Sequence, residues 1–323
     1  MLLRRNFLKL TGAAVGGLYA PAILRAQAKW PERPVKFIVP FAAGGATDLV
    51  ARPWVDWLTK AFGQQFVIEN RGGASGMIGA EAAAKSAPDG YTFFFTSNTT
   101  TVTLPLIRKL NYDAKSFVAV ARMGDSMAGF VIHPSVGVKT FPDMVAYAKA
   151  NPGKLAFGSS GAGTLPHLRY EMLRIKAGID ILHVPYRGGA DTLNDLLAGT
   201  IQLMNEGSSL PHAKAGKIHL LNINHFERFA EFPDVPTLTE LGFKDADVPA
   251  WFALYAPGGT PLPIVEQLHA RIYELSKTPE VKAQLQAVSC VPIVQTRDEL
   301  QQFWDADHGR TAELVKLANI KFE

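Results

Sequence analysis

The sequence holds a single cysteine, Cys290, in 323 residues. No intrachain disulfide can form, so the packed core alone must hold the fold. Among His133, His183, His212, His219, His225, His269 and His308 there is no i,i+4 pair and no Cys partner, which leaves no metal-ligating pattern. No Gly-Lys-Ser/Thr closes any glycine-rich turn, so a nucleotide-binding P-loop is excluded. Gly158-Ser159-Ser160-Gly161-Ala162 lacks the closing glycine of a nucleophile elbow. Excess positive charge is confined to the N-terminus. Residues 1–28 contain Arg4, Arg5, Lys9 and Arg25 and no acid; without them Lys+Arg falls from 33 to 29, equal to the 29 Asp+Glu. A formally neutral remainder offers no basic patch, so no nucleic-acid partner is expected. No metal or cofactor is expected either.

The N-terminus reads as an export signal. Arg4-Arg5-Asn6-Phe7-Leu8-Lys9 precedes a weakly apolar, Gly/Ala-rich run over residues 10–24, and Ala26-Gln27-Ala28 supplies a small-x-small cleavage pattern. The apolar run is too short and interrupted for a membrane span. Adjacent arginines in this context point to the twin-arginine route ahead of an ordinary secretory signal. The expectation is a soluble periplasmic protein, cleaved near Ala28.

The remaining chain is long enough for two lobes of ordinary size. Apolar β-type runs recur at residues 35–40, 66–69, 91–96, 117–122, 129–133, 155–157, 181–185, 199–204, 219–224 and 251–256. Helical patterns lie between many of them, at 48–62, 76–87, 140–150, 165–178 and 191–198, and continue at 263–276, 279–287 and 297–318. Strands alternating with amphipathic helices predict α/β lobes with largely parallel sheets. The stretch from Pro257 onward is almost all helix and has no sheet of its own, so it is expected to return over the first lobe. Lobe 1 is then discontinuous, 29–127 plus 250–323, and lobe 2 runs over 128–249. Two chain crossings make a hinge, and ligands favour such interfaces.

Two stretches share one design, an apolar run, a glycine-rich turn and a helix: residues 37–48 and residues 155–164. Such a junction presents backbone N–H groups where the helix dipole favours negative charge. In the first, Phe41, Ala43, Gly44, Gly45 and Ala46 are placed near the ligand. Thr47 or Asp48 would cap the helix, and Asp48 is expected close to the ligand. In the second, Ser160, Gly161, Ala162, Gly163 and Thr164 offer hydroxyls and a run of N–H donors. Ser97 and Asn98 open a polar cluster after a strand, which reads either as a ligand-facing loop or as a solvated turn. Asn205 and Glu206 follow another strand. An acid there is costly beside an anion, so Glu206 is either exposed or recognises a donor such as an ammonium or hydroxyl.

At these residues the chain resembles the Bug/TctC-type solute receptors of tripartite tricarboxylate transporters. The resemblance spans nearly all of the chain beyond the signal. It is carried by Trp30-Pro31-Glu32-Arg33-Pro34, by Val39-Pro40-Phe41 with Gly44-Gly45 and Asp48, and by Gly63-Gln64 with Glu69-Asn70-Arg71. Ala87 to Thr92, Asn151 to Leu155, and Gly158-Ser159-Ser160-Gly161 with His167-Leu168 continue it. His183 to Gly188, Pro233 to Thr237 and Ala256 to Pro261 complete the ordered set.

The resemblance implies a two-lobed, type II periplasmic-binding-protein fold that closes on its ligand. It also implies that loops 41–48 and 159–164 pinch one carboxylate of a small acid, partly through ordered water. Family ligands include di- and tricarboxylates, acidic amino acids and aromatic acids, and the implied partner is a membrane transporter. The chain departs from the family at Ala42-Ala43, where proline is usual, and at Gly72. It departs again at Asn205-Glu206, where relatives often have Phe-Asp, and at Asn222 to His225. The reading is a monomeric, non-catalytic periplasmic receptor for a small carboxylate. A receptor serving a signalling partner and an exported hydrolase of small acids or esters are the alternatives.

Overall fold

The computed structural model describes residues 30–243 and 249–317. The expected export signal, residues 1–28, lies outside the described residues. The first sheet contains β1 (Val35–Val39), β2 (Phe66–Asn70), β3 (Thr92–Ser97), β4 (Val118–Ser126), β10 (Ala250–Ala256) and β11 (Cys290–Val291). The second contains β5 (Val131–Ile132), β6 (Ala156–Ser159), β7 (Leu182–Pro185), β8 (Leu203–Met204) and β9 (His219–Leu220).

The orders are β11-β4-β10-β3-β1-β2 and β7-β6-β8-β5-β9. Both sheets therefore run second, first, third, crossing strand, fourth. The crossing strands, β10 and β5, are antiparallel to their neighbours, while β1 pairs in parallel with β2 and β3, and β6 with β7 and β8. This is the doubled α/β architecture of a two-lobed periplasmic binding protein. Its parallel strands all end, at their C-terminal edges, where ligands bind in open α/β sheets.

Helices α1 (Ala46–Phe62), α2 (Met77–Ala84) and α3 (Leu104–Ile107) belong to the first half of the chain. Helices α4 (Phe141–Ala150), α5 (Leu165–Ala177), α6 (Gly189–Leu197) and α7 (Leu210–Lys214) surround the second sheet. Helices α8 (Leu262–Ser276), α9 (Pro279–Ala287) and α10 (Arg297–Leu317) follow β10. None among the described residues is long and apolar enough to cross a membrane.

Both faces of the first sheet are covered, which is why its strands read as nearly continuous apolar runs. Alternation still sorts the side chains. Phe37, Phe93, Phe95 and Leu254 pack with Trp54 and Leu58 of α1, Val265 and Leu268 of α8 and Leu285 of α9. Their neighbours Ile38, Phe94, Trp251 and Tyr255 face the other way, onto Ala80 and Ala83 of α2 and Trp304 of α10. The second sheet has its own core, including Phe130, Phe157, Met144, Tyr170 and Leu173.

The stretch after Pro257 is almost all helix, and its short strand Cys290–Val291 adds to the edge of the first sheet on β4. Two residues are too few for an alternation signal. The Ser97–Thr101 cluster is not a solvated turn. Thr99–Thr103 forms a wide helical turn whose five residues are all buried. Thr99, Thr100 and Thr101 offset that burial through hydroxyl bonds, such as Thr96 Oγ1 to Thr100 Oγ1 at 2.7 Å, whereas Thr103 Oγ1 has no partner among the described residues.

The lobes touch across the cleft. Ser75 Oγ donates to the Ala162 carbonyl at 2.7 Å, and the Leu165 N–H donates to Thr99 Oγ1 at 3.2 Å. Leu165, Leu168 and Met172 of α5 cluster with Leu314 of α10.

Gly79 sets how closely α2 lies on the end of β1. A Cβ there would sit 2.7 Å from both the Arg71 carbonyl oxygen and Pro40 Cα. Gly79→Ala should therefore destabilise the protein by about 1–3 kcal/mol, although alanine is the better helix former. A denaturant melt checks this; unchanged or higher stability would contradict the packing.

Candidate functional site

The C-terminal ends of β1, β3, β6, β7 and β8 converge on one small cavity of about 50 Å³ between the sheets. Its walls include Phe41, Gly45, Ala46 and Thr47 after β1, Ser97 and Thr99 after β3, and Ser160 after β6. Leu165, Pro166 and Arg169 of α5, Gly189 of α6, and Asn205, Glu206 and Gly207 after β8 close it. Ser126, Ala128, Ala250 and Phe252 come from the two chain crossings.

The first glycine-rich loop presents its donors as the helix dictates. Helix α1 starts at Ala46 with Gly45 as N-cap, and no side chain bonds across the cap. The first-turn N–H groups of Ala46 and Thr47 have no helical acceptor and no other partner among the described residues. Both residues line the cavity. This turn is therefore a donor pair beside the positive end of a 17-residue helix.

Asp48 does different work from that expected of it. It is fully buried, does not line the cavity and does not cap the helix. Its carboxylate accepts from the Gly44 N–H at 2.8 Å, Arg52 Nε at 2.8 Å and Asn70 Nδ2 at 3.0 Å. Asn70 also donates to the Phe41 carbonyl at 3.1 Å. Asp48 thus ties the loop down from behind, and Ala43 and Gly44 are turned to the exposed side.

The second glycine-rich loop is largely spent on itself. The Gly161 N–H donates to Ser159 Oγ at 3.3 Å, Gly163 to His167 Nδ1 at 3.0 Å and Thr164 to the Gly161 carbonyl at 3.2 Å. The start of α5 is closed too, because Leu165 donates to Thr99 and Pro166 has no N–H. Ser160 lines the cavity; Gly161, Ala162, Gly163 and Thr164 do not. Ser159 is fully buried, hydrogen-bonded through Oγ to His183 Nε2 at 2.7 Å. Burial pushes the His183 imidazole down to about 4, with the stacked His167 ring 3.8 Å away adding to the effect.

A third junction of the same design takes its place. Between β7 and α6, Gly188-Gly189 opens a helix whose start faces the cavity. Close approach requires these glycines. A Cβ on Gly188 would lie 3.2 Å from Ala42 Cβ, and one on Gly189 only 1.9 Å from Glu206 Oε2.

Glu206 is the acid in the cavity wall. It is 9 % exposed, and its Oε1 has no hydrogen-bond partner among the described residues. Burial pushes its carboxyl up to about 7, while the Ser160 hydroxyl and N–H and the Arg169 guanidinium pull it partly back. Arg169 is itself buried and donates to Asn205 Oδ1 at 3.0 Å; Asn205 Nδ2 donates to Asn224 Oδ1 at 2.7 Å. Asn222 Nδ2 donates to the same Asn224 oxygen at 3.5 Å, and Asn222 Oδ1 accepts the Phe130 N–H at 3.1 Å, so this amide chain reaches the start of β5.

Of the residues expected at the site, Phe41, Gly45, Ala46, Ser97, Ser160, Asn205 and Glu206 are brought together on the wall. Asn98 turns away, donating to the Pro249 carbonyl at 3.4 Å and to Asp307 Oδ2 at 3.2 Å. Gly189 and Arg169 were missed. Gly189 repeats the strand–glycine–helix pattern of the other two junctions. Arg169 falls within the buried stripe of α5, between Leu165 and Leu173, where an unpaired cation is not tolerated.

Comparison with known proteins agrees with this architecture. Residues 50–320 match the family described as "Tripartite tricarboxylate transporter family receptor". Protein BugT of Bordetella pertussis is 33% identical over 315 residues, 96% of each chain. A Rhodopseudomonas palustris protein solved with adipate is 31% identical, with a TM-score of 0.87 over 90% of this chain and 99% of that one. MatC of the same organism, solved with bound malate, is 29% identical, with a TM-score of 0.83 over 88% of this chain and 100% of that one.

Two outcomes follow from the buried carboxylates. Asp48→Ala strands the Gly44 and Asn70 donors and should cost about 2–4 kcal/mol, with faster amide exchange at Gly44; unchanged exchange would remove Asp48 from its tethering role. For Glu206, the folded protein retains a proton that the unfolded chain has already released between about pH 4.5 and 7. Stability contributed by this group is therefore full below that window and lost as pH rises through it, by up to about 3 kcal/mol. Glu206→Gln should flatten the loss and be the more stable protein at pH 8, as read by melts across pH. A variant less stable than wild type at pH 8 would contradict this.

Proposed function

The chain belongs to the tripartite tricarboxylate transporter receptor family, and from that premise we propose that it is a periplasmic receptor that captures one small carboxylate between its lobes and delivers it to a membrane transporter of the tripartite tricarboxylate type. The observation that carries the proposal is the free donor pair at the start of α1, the N–H groups of Ala46 and Thr47, lining a small cavity. A carboxylate supplies two acceptor oxygens to such a turn and gains from the helix dipole at the same time. Ser160 and Gly189, at the start of α6, line the same cavity. The adipate and malate held by the two Rhodopseudomonas palustris proteins belong to the ligand class this wall would accept.

The lobes are assigned to residues 29–127 with 250–323 and to residues 128–249, with the hinge at the two crossings. Ligand entry requires the cross-cleft bonds from Ser75 to Ala162 and from Leu165 to Thr99 to open. These polar bonds and the small apolar cluster on α5 act as a latch, suited to opening on the microsecond-to-millisecond scale of hinge motions. The protein acts as a monomer exported under the signal in residues 1–28, without catalysing a reaction. The Ser159–His183 pair supports this reading: Ser159 is fully buried and its hydroxyl also bonds to the Gly161 carbonyl.

The test is titration calorimetry over mono-, di- and tricarboxylates, amino acids and aromatic acids. At least one small acid should bind at micromolar concentration or tighter without turnover, and inorganic phosphate should not compete. Ala46→Pro keeps a helix-compatible residue at the first helical position and removes one donor. It should weaken binding by about ten- to a hundredfold with little loss of stability, the worth of one hydrogen bond to a charged group. Silence toward every acid, or full affinity in Ala46→Pro, would sink the proposal.

A further inference from the structure

The donor pair on α1 accounts for a carboxylate, but it leaves an acid in the same small cavity without a purpose. Glu206 is more than nine-tenths buried, lines the cavity and has one oxygen, Oε1, with no partner among the described residues. Its other oxygen lies against Gly189, where even a methyl group would not fit. A buried carboxylate oxygen left unsatisfied is costly, and such groups are kept where a ligand completes them. The Ser160 hydroxyl and N–H already donate to this carboxylate and the Arg169 charge acts on it, yet Oε1 is left without a partner among the described residues. Arg169 is engaged with Asn205, and Asn205 with Asn224.

We infer that Glu206 selects for a carboxylate ligand that also carries an ammonium on a neighbouring carbon, the ammonium donating to Glu206 Oε1 while the ligand carboxylate rests on the N–H groups of Ala46 and Thr47. The inference rests on the carboxylate reading above and adds the second pole of the ligand. An ammonium supplies both a donor and a counter-charge to a carboxylate held away from water. A hydroxyl would supply only the donor. A second carboxylate on the ligand would meet Glu206 as a like charge. The shared cavity sets the spacing. Ala46, Thr47 and Glu206 all line the same space of about 50 Å³, which favours a ligand whose two charges are close together, as in an α-amino acid.

Two matched series test this on the whole protein by calorimetry at pH 8: propionate, lactate and L-alanine, and succinate, malate and L-aspartate. The amino member of at least one series should bind at least tenfold more tightly than its hydroxy and unsubstituted partners. Glu206→Gln should erase that preference while its melting curve and its affinity for the unsubstituted acid are retained or raised. Equal or tighter binding of the unsubstituted and hydroxy acids in both series would overturn the inference and leave the carboxylate reading standing. A preference that survives in Glu206→Gln would overturn it as well. Failure of all six acids would remove this inference, and failure of the wider acid panel would remove the carboxylate reading beneath it.

Discussion

A helix start has N–H groups that its own carbonyls cannot reach, and the cleft of this protein is organised around where those groups find partners. Three strand–glycine–helix junctions point at one cavity. At α5 the demand is met internally, by Thr99 across the cleft and by a proline that has no N–H to satisfy. At α6 the first residue, Gly189, lies against the Glu206 carboxylate. At α1 the first-turn donors are open on the cavity wall, and the Gly189 and Ala190 N–H groups of α6 likewise have no partner among the described residues. The three ends therefore differ in function although their sequences look alike, and the difference lies in which acceptors the neighbouring segments bring.

The matching strand order of the two sheets makes this convergence possible. Each crossing strand enters its sheet antiparallel between the third and fourth strands, so the parallel strands of both lobes end toward the same gap. Small residues then let the lobes approach. Ala42 meets Gly188 and Gly44 meets Ala190, contacts that bulkier side chains would hold apart. Behind the wall, the Asp48–Asn70 tether and the Arg169–Asn205–Asn224 chain fix polar groups with charged or amide partners. Such networks keep donors and acceptors aimed, although Asn224 Nδ2 at the end of the second has no partner among the described residues.

Much of the fold was legible because its elements are long and strongly patterned. The runs around Phe37, Phe93 and Leu254, and the periodic helices of the C-terminal third, carry their signals locally. What was not legible depends on partners far away in the chain. Asp48 looked like a ligand neighbour because sequence shows its place after the glycines, whereas its direction is set by Asn70 and Arg52. Asn98 looked like a cleft residue, but Asp307, more than two hundred positions on, claims it. The glycines at 161 and 163 looked like donors, and their N–H groups are consumed by Ser159 and His167. Glu206 was the reverse case. An acid beside an anion seat reads as an anomaly in sequence, and burial with an unpaired oxygen is what turns that anomaly into a specificity element.

The position of a bound carboxylate decides whether the start of α1 is its seat. A crystal structure of the protein with a small acid that it binds tests this directly. Both oxygens of one carboxylate should lie within about 2.7–3.2 Å of donors, directly or through one ordered water, with the N–H groups of Ala46 and Thr47 among them. A carboxylate bound elsewhere in the cleft, with the first turn of α1 left facing solvent, would contradict it.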